Sequence, residues 1–165
     1  MILNGKVWKF GDGVDTDVII PARYGALPIE QYKTHLMEPI RPGWAVLVKE
    51  GDFIFAGNNF GIGSSRGQAV AGLKAVGIRA VIAISFGRIF FRSAINEGMA
   101  LIDCPEAYQH SQEGDQVEID IAGGVIINKS KNREFTFAAF PDLIQKIILA
   151  GGGVNYYKEI LNSSD

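Results

Sequence analysis

Gly57-Asn58-Asn59-Phe60-Gly61-Ile62-Gly63-Ser64-Ser65-Arg66 decides how this chain folds. Three glycines in so short a stretch mark a backbone that leaves regular structure. Before it, residues 53–56 form an apolar β-type run. After it, Ala69, Val70, Leu73 and Val76 share one face at helical spacing, and Gly77 closes the segment. A strand, a glycine-rich turn and a helix in that order predict one unit of an α/β layer.

The turn fits neither common phosphate motif. A P-loop needs Gly-Lys where Ile62-Gly63 stands, and a dinucleotide fingerprint needs Gly where Arg66 stands. What remains is Gly-x-Gly-Ser-Ser-Arg opening a helix. Ser64 can cap that helix, and its first N–H groups and dipole favour an anion. Ser65 adds a hydroxyl, and Arg66 adds a planar fork suited to a carboxylate. A carboxylate-binding turn and a merely capped helix with a solvated Arg66 are both open at this level.

Working outward, residues 79–86 read as a buried strand, 88–96 as a helix ended by Gly98, and 99–103 as a strand. Strand and helix thus alternate through the middle, which favours parallel strand neighbours. On the N-terminal side, residues 6–10 alternate as a strand. Residues 44–48 and 53–56 are β-type runs about a Gly51-Asp52 turn, and 30–37 is a short helical candidate in a proline-rich stretch. On the C-terminal side, residues 116–137 read as a β-meander. Leu143, Ile144, Ile147 and Ile148 form a helical stripe ended by Gly151-Gly152-Gly153, and residues 154–161 form a last helix.

The chain has 165 residues, of which 47% are hydrophobic and 21% charged, which suits one globular domain rather than a disordered segment. Its net charge of -2 lacks the positive excess of a nucleic-acid surface. The uncharged apolar run at 80–87 is far too short for a membrane span, and the N-terminus reads as no signal peptide. A cytoplasmic protein is expected. Cys104 is the sole cysteine, so this chain alone makes neither a disulfide nor a multi-cysteine metal or iron–sulfur site. His35 and His110 show no pairing that would activate a serine, and read as ordinary surface histidines.

Four blocks then match a known family. They are Gly5 to Asp12, Asp15-Thr16-Asp17-Val18-Ile19-Ile20-Pro21, Gly57 to Arg66, and Ser85-Phe86-Gly87-Arg88-Ile89-Phe90-Phe91-Arg92-Ser93-Ala94-Ile95-Asn96; Gly151 to Tyr156 also fits. In these the chain resembles the small subunit of the 3-isopropylmalate dehydratase (isopropylmalate isomerase) and homoaconitase-type family, over nearly its whole length. The resemblance implies an α/β fold, the swivelling β/β/α domain of aconitase, spanning residues 1–165.

It also implies a hydro-lyase of leucine biosynthesis, active only with a large subunit that carries a [4Fe-4S] cluster. No metal or cofactor is expected in this chain, and neither nucleic acid nor membrane as a partner. Matched to the family motif, Ser64 is the general base, Ser65 and Arg66 hold a substrate carboxylate, and Asp17 lies at the active site. The loop Tyr24-Gly25-Ala26-Leu27 corresponds to the one that touches the substrate's variable group. Homoaconitase-type members carry an arginine where this chain has Ala26. An apolar loop favours an alkyl substituent, because an unpaired buried carboxylate costs several kcal/mol, roughly. 2,3-Dimethylmalate and methylmalate are alternative substrates, homoaconitate is disfavoured by Ala26, and a non-catalytic carboxylate-binding subunit is the alternative of another class.

The chain departs from the family at one point. Where the family reads Ser-Ser-Arg-Glu, this chain has Gly67. The missing glutamate would favour the helix dipole by about 0.3–1 kcal/mol. Arg88 and Arg92, one turn apart, read as structural or as subunit-interface residues. Phe90 and Phe91 read as core or interface, and Cys104 as an inert thiol.

Overall fold

A seven-stranded sheet in the order β4-β3-β2-β1-β5-β6-β7 organises the chain. The computed structural model describes residues 1–64 and 67–163. Strands β1 (Ile2–Lys9), β2 (Phe53–Ala56), β3 (Ala80–Ala83) and β4 (Ala100–Asp103) run parallel. Strands β5 (Gln116–Asp120), β6 (Val125–Asn128) and β7 (Arg133–Thr136) continue antiparallel from the other edge of β1. The expected strand–helix alternation and the meander are therefore two halves of one mixed sheet, hinged on β1.

Side-chain alternation along the parallel strands feeds two cores. Trp8, Ile54, Val81 and Leu101 face one side, with Ile19, Leu36, Trp44, Phe60 and Leu73. Val7, Phe53, Phe55, Ile82 and Ile102 face the other, with Val117, Ile119, Ile126 and Phe135 of the antiparallel half. Every residue of β2 and β3 is buried, as strands covered on both faces must be. Phe53 and Phe55 are wholly buried, and each contributes roughly 1.5–3 kcal/mol by leaving water.

The first face is covered by α1 (Thr16–Ile19), α2 (Ile29–Tyr32) and α3 (Gly67–Val76). Helix α4 (Arg88–Asn96) gives Phe90 and Ala94 to the first core and Ile95 to the second. Helices α5 (Pro105–His110) and α6 (Asp142–Leu149) cover the second face through Ala107 and Ile148, and α7 (Gly153–Asn162) packs on α4 and α6.

Two expectations need correction, and one helix was not expected. Residues 44–48 do not form a strand: Trp44–Val46 is a 3-10 turn. Gly43 enters it at φ +77°, and the buried Trp44 ring meets Trp8 and Phe10 edge-on at 6.1 and 5.5 Å. The candidate helix at 30–37 breaks into α2 and a 3-10 turn, Lys33–His35, before Met37 takes a left-handed φ of 59°. Helix α5, which had no counterpart in the expectations, starts with Pro105 in its first turn and an acidic Glu106, both favourable there.

Candidate functional site

Loops leaving the C-terminal ends of β1, β2 and β3 are stitched together by backbone hydrogen bonds. That edge of a parallel sheet is where such folds bind ligands. Gly57 N–H donates to Gly11 O at 3.1 Å, Gly13 N–H to Asn58 O at 2.8 Å, and Gly61 N–H to Val14 O at 2.7 Å. The Asp12 carboxylate accepts from the Asn58 amide at 2.6 Å. On the other side, Ser85 accepts from Asn59 N–H at its hydroxyl (2.9 Å) and from Phe60 N–H at its carbonyl (3.0 Å). The Phe60 ring, wholly buried, pins the knot from below against Phe86 and Phe90.

The glycines of the turn are there for space and conformation. Gly61 has φ +74°, and a Cβ there would run into the Phe90 ring. Gly63 has φ +114° and lies so close to Thr16 that a Cβ would stand 3.2 Å from its hydroxyl.

Helix α1 enters the same knot. Asp15 is its cap, with Oδ1 accepting from Val18 N–H at 2.8 Å. Thr16 is buried and donates its N–H to Ile62 O at 3.0 Å. Asp17 follows, exposed, in the first turn. Ser64 follows Gly63, also exposed. The residue before Ser64 therefore lies against the residue before Asp17, at the start of α1. The expected capping of α3 by Ser64 turns on the two residues that follow it. Ser65 and Arg66 lie outside the described residues.

The loop Tyr24-Gly25-Ala26-Leu27 leaves a 3-10 turn, Ala22–Tyr24. Gly25 N–H donates to Ala22 O at 3.1 Å and Leu27 N–H to Tyr24 O at 3.0 Å. Gly25 lines a cavity of ≈ 250 Å³ with Ile20, Ala22 and Gln68. Ile20 is the C-cap residue of α1 and Gln68 lies in α3, so this cavity lies between the Gly25 loop and α3. Ala26 and Leu27 are exposed and do not line it. Sequence reasoning missed Ile20, Ala22 and Gln68; the signal for Gln68 was its place directly after the glycine-rich turn.

The surroundings of Tyr24 correct the reading of His35. His35 Nδ1 lies 2.6 Å from Glu38 Oε2, and its ring stacks on Tyr24 at 3.9 Å. Arg23 donates to Glu38 Oε1 at 2.7 Å, and the Tyr24 hydroxyl to the same atom at 2.8 Å. Hydrogen bonds from Tyr24 first, then from His35 and Arg23, hold the Glu38 carboxyl far down, from its usual 4.5 to about 2. His110 stacks on Phe135, with ring centroids 6.3 Å apart.

A larger cavity of ≈ 590 Å³ runs along α4 past Ser85, Phe86, Arg88, Phe91, Arg92 and Asp103. It includes neither Ser64 nor Asp17. Among the described residues no group of three or more His, Cys, Asp and Glu is placed to hold a metal ion. Cys104 is buried, 3.7 Å from Thr136 O, and burial pushes its thiol pKa up. Among the described residues no helix is long and apolar enough to cross a membrane.

Comparison with known proteins agrees with this architecture. Residues 48–107 match the family model for the aconitase C-terminal domain. The 3-isopropylmalate dehydratase small subunit of Thermodesulfovibrio yellowstonii is 47% identical, over 100% of this chain and 99% of its own length. That of Clostridioides difficile is 49% identical over 96% of this chain and 98% of its own. A crystal structure of 3-isopropylmalate dehydratase from Methanocaldococcus jannaschii superposes with a TM-score of 0.91 at 44% identity, covering 99% of both chains.

Proposed function

The chain belongs to the family of 3-isopropylmalate dehydratase small subunits, and on that premise we propose that it interconverts 2- and 3-isopropylmalate with a large subunit. The reaction is a dehydration followed by rehydration at the neighbouring carbon, a step of leucine biosynthesis in the cytoplasm.

A [4Fe-4S] cluster, which the aconitase relationship implies, does not fit this chain, whose sole cysteine is buried. In this proposal the cluster resides in the large subunit, and no step below runs through it. Ser64 takes the proton from the carbon next to the hydroxyl-bearing carbon, the C–H electron pair becomes the double bond, and the hydroxyl leaves as water with a second proton from an acid of the closed site. In rehydration water returns that second proton to the acid and adds its hydroxyl to the carbon that lost the first proton, while Ser64 gives its proton to the carbon that first bore the hydroxyl. A serine hydroxyl is a poor base in water. It becomes competent in a closed site with fixed positive charge, which Arg66 and the covering large subunit supply. Arg66 and Ser65 bind a substrate carboxylate, the geometry a guanidinium fork suits. Asp17, in the first turn of α1, completes the acid–base set.

The observation that carries the proposal is the knot itself. Backbone bonds from Gly61 to Val14 and from Thr16 to Ile62 support one rigid edge that bears both Ser64 and Asp17. The neighbouring cavity, lined among the described residues by Ile20, Ala22, Gly25 and Gln68, has no cation there for an extra carboxylate, which supports an alkyl group. Arg23 is engaged by Glu38, which supports the same preference.

Anaerobic reconstitution with the large subunit tests the proposal. Alkene formation is followed from 2-isopropylmalate, 2,3-dimethylmalate, methylmalate and homocitrate. Turnover of 2-isopropylmalate above the others is expected. Preference for homocitrate, or activity of the isolated chain, contradicts it.

A further inference from the structure

Glu38 stands outside the turn that bears Ser64, yet three side chains of the Tyr24 region converge on it. Its Oε1 accepts from Arg23 at 2.7 Å and from the Tyr24 hydroxyl at 2.8 Å, and its Oε2 faces His35 Nδ1 at 2.6 Å. The rings of Tyr24 and His35 lie parallel at 3.9 Å, and the Arg23 guanidinium sits 4.7 Å over the Tyr24 ring. Arg23, Tyr24 and His35 thus form one stack closed by a single carboxylate. We infer that Glu38, through Tyr24 and His35, is a positioning residue that fixes the Tyr24–Leu27 loop and thereby sets the substrate's alkyl-group preference.

The mechanical case is direct. Three-residue turns such as Ala22–Tyr24 are held by few bonds: Tyr24 N–H to Pro21 O, Gly25 N–H to Ala22 O, and Leu27 N–H to Tyr24 O. Ala26 and Leu27 are exposed and supply no buried anchor. Within the loop it is Tyr24 whose side chain is held by other segments, through Glu38 and His35. Segment 36–38 is itself tied down, because Leu36 and Met37 are buried and Met37 N–H donates to Ile19 O at 3.0 Å. Glu38 therefore presents its carboxylate from a fixed base. The same Ile19–Ile20 segment borders the cavity, so both walls share one support.

The specificity part of this inference rests on the proposed function; the loop-ordering part does not. The experiment reads the two separately with Glu38→Gln and Tyr24→Phe. In the free subunit, amide exchange at Gly25 and Leu27 is expected to speed about tenfold in Glu38→Gln, and less in Tyr24→Phe, which keeps the stack. In the reconstituted enzyme, KM for 2-isopropylmalate is expected to rise about tenfold while kcat stays within about twofold, and the preference for isopropyl over methyl side chains narrows. Unchanged exchange in both variants overturns the clamp, whatever the enzyme does. Faster exchange with unchanged KM and preference overturns its role in specificity. A wild-type complex that turns over no alkylmalate overturns the proposed function, and with it the specificity role, while the exchange data still judge the clamp. If Glu38→Gln fails to fold, Tyr24→Phe alone must show the smaller shifts, and none in that variant is contradictory.

Discussion

The amide of Gly61 donates to the carbonyl of Val14 at 2.7 Å, and this bond joins the loop after β2 to the loop after β1. It requires the left-handed φ of +74° at Gly61 and the absence of a side chain facing Phe90. Gly61→Ala therefore combines backbone strain with overpacking against a buried ring. A loss of about 2–4 kcal/mol is expected, read as a lower urea midpoint. A variant as stable as the parent contradicts the account of the knot.

Gly67 presents the opposite case. It is exposed at the start of α3, and among the described residues a Cβ there would meet nothing within 4 Å. Gly67→Glu is expected to stabilise by about 0.5–1.5 kcal/mol, from reduced unfolded-state freedom and a negative charge at the helix N-terminus. Thermal unfolding checks it, and a lowered Tm argues that the position is constrained by something other than space.

Much of this was legible in the sequence because the signals were local. The Ala69–Val76 stripe with Gly77 marked α3, and alternation in residues 116–137 marked the meander. The glycines of residues 57–63 marked a backbone that must pass close to something, and the structure identifies Thr16 and Phe90. The resemblance singled out Asp17, Ser64 and the Tyr24 loop. What local pattern could not carry was convergence across the chain. Residues 44–48 look like a strand, but Trp44 is committed to the Trp8 and Phe10 rings some 34–36 residues away, and Gly43 turns the backbone to put it there. His35 had no visible partner because Glu38 and Tyr24 meet it only once two 3-10 turns have folded the segment back.

The Glu38 carboxyl, lowered to about 2 by Tyr24, His35 and Arg23, sets an acid-limb signature. A carboxyl whose folded pKa is depressed adds stability that is full above its usual 4.5. That stability is lost as the pH falls toward about 2. The stability gap between wild type and Glu38→Gln is therefore expected to close across that window. Urea midpoints measured from neutral to acid pH check it, and a gap independent of pH contradicts the ion-paired cluster.

Cys104 is buried against Thr136 O, and burial raises its thiol pKa, so little thiolate is present or reachable. Labelling by an aromatic disulfide reagent at neutral pH is expected to run at least about a hundredfold slower in the native chain than in urea. Equal rates contradict the buried placement.

The most direct test of the central claim is a comparison of wild type and Ser64→Ala in the anaerobically reconstituted two-subunit enzyme. Ser64 is exposed in its bend, so the substitution is expected to leave folding and complex formation intact. The account predicts that 2-isopropylmalate turnover falls by about 10²–10⁴-fold while the complex still forms. A Ser64→Ala complex that forms and turns over at the wild-type rate would contradict it, and would leave this chain as a binding subunit without a part in the proton transfer.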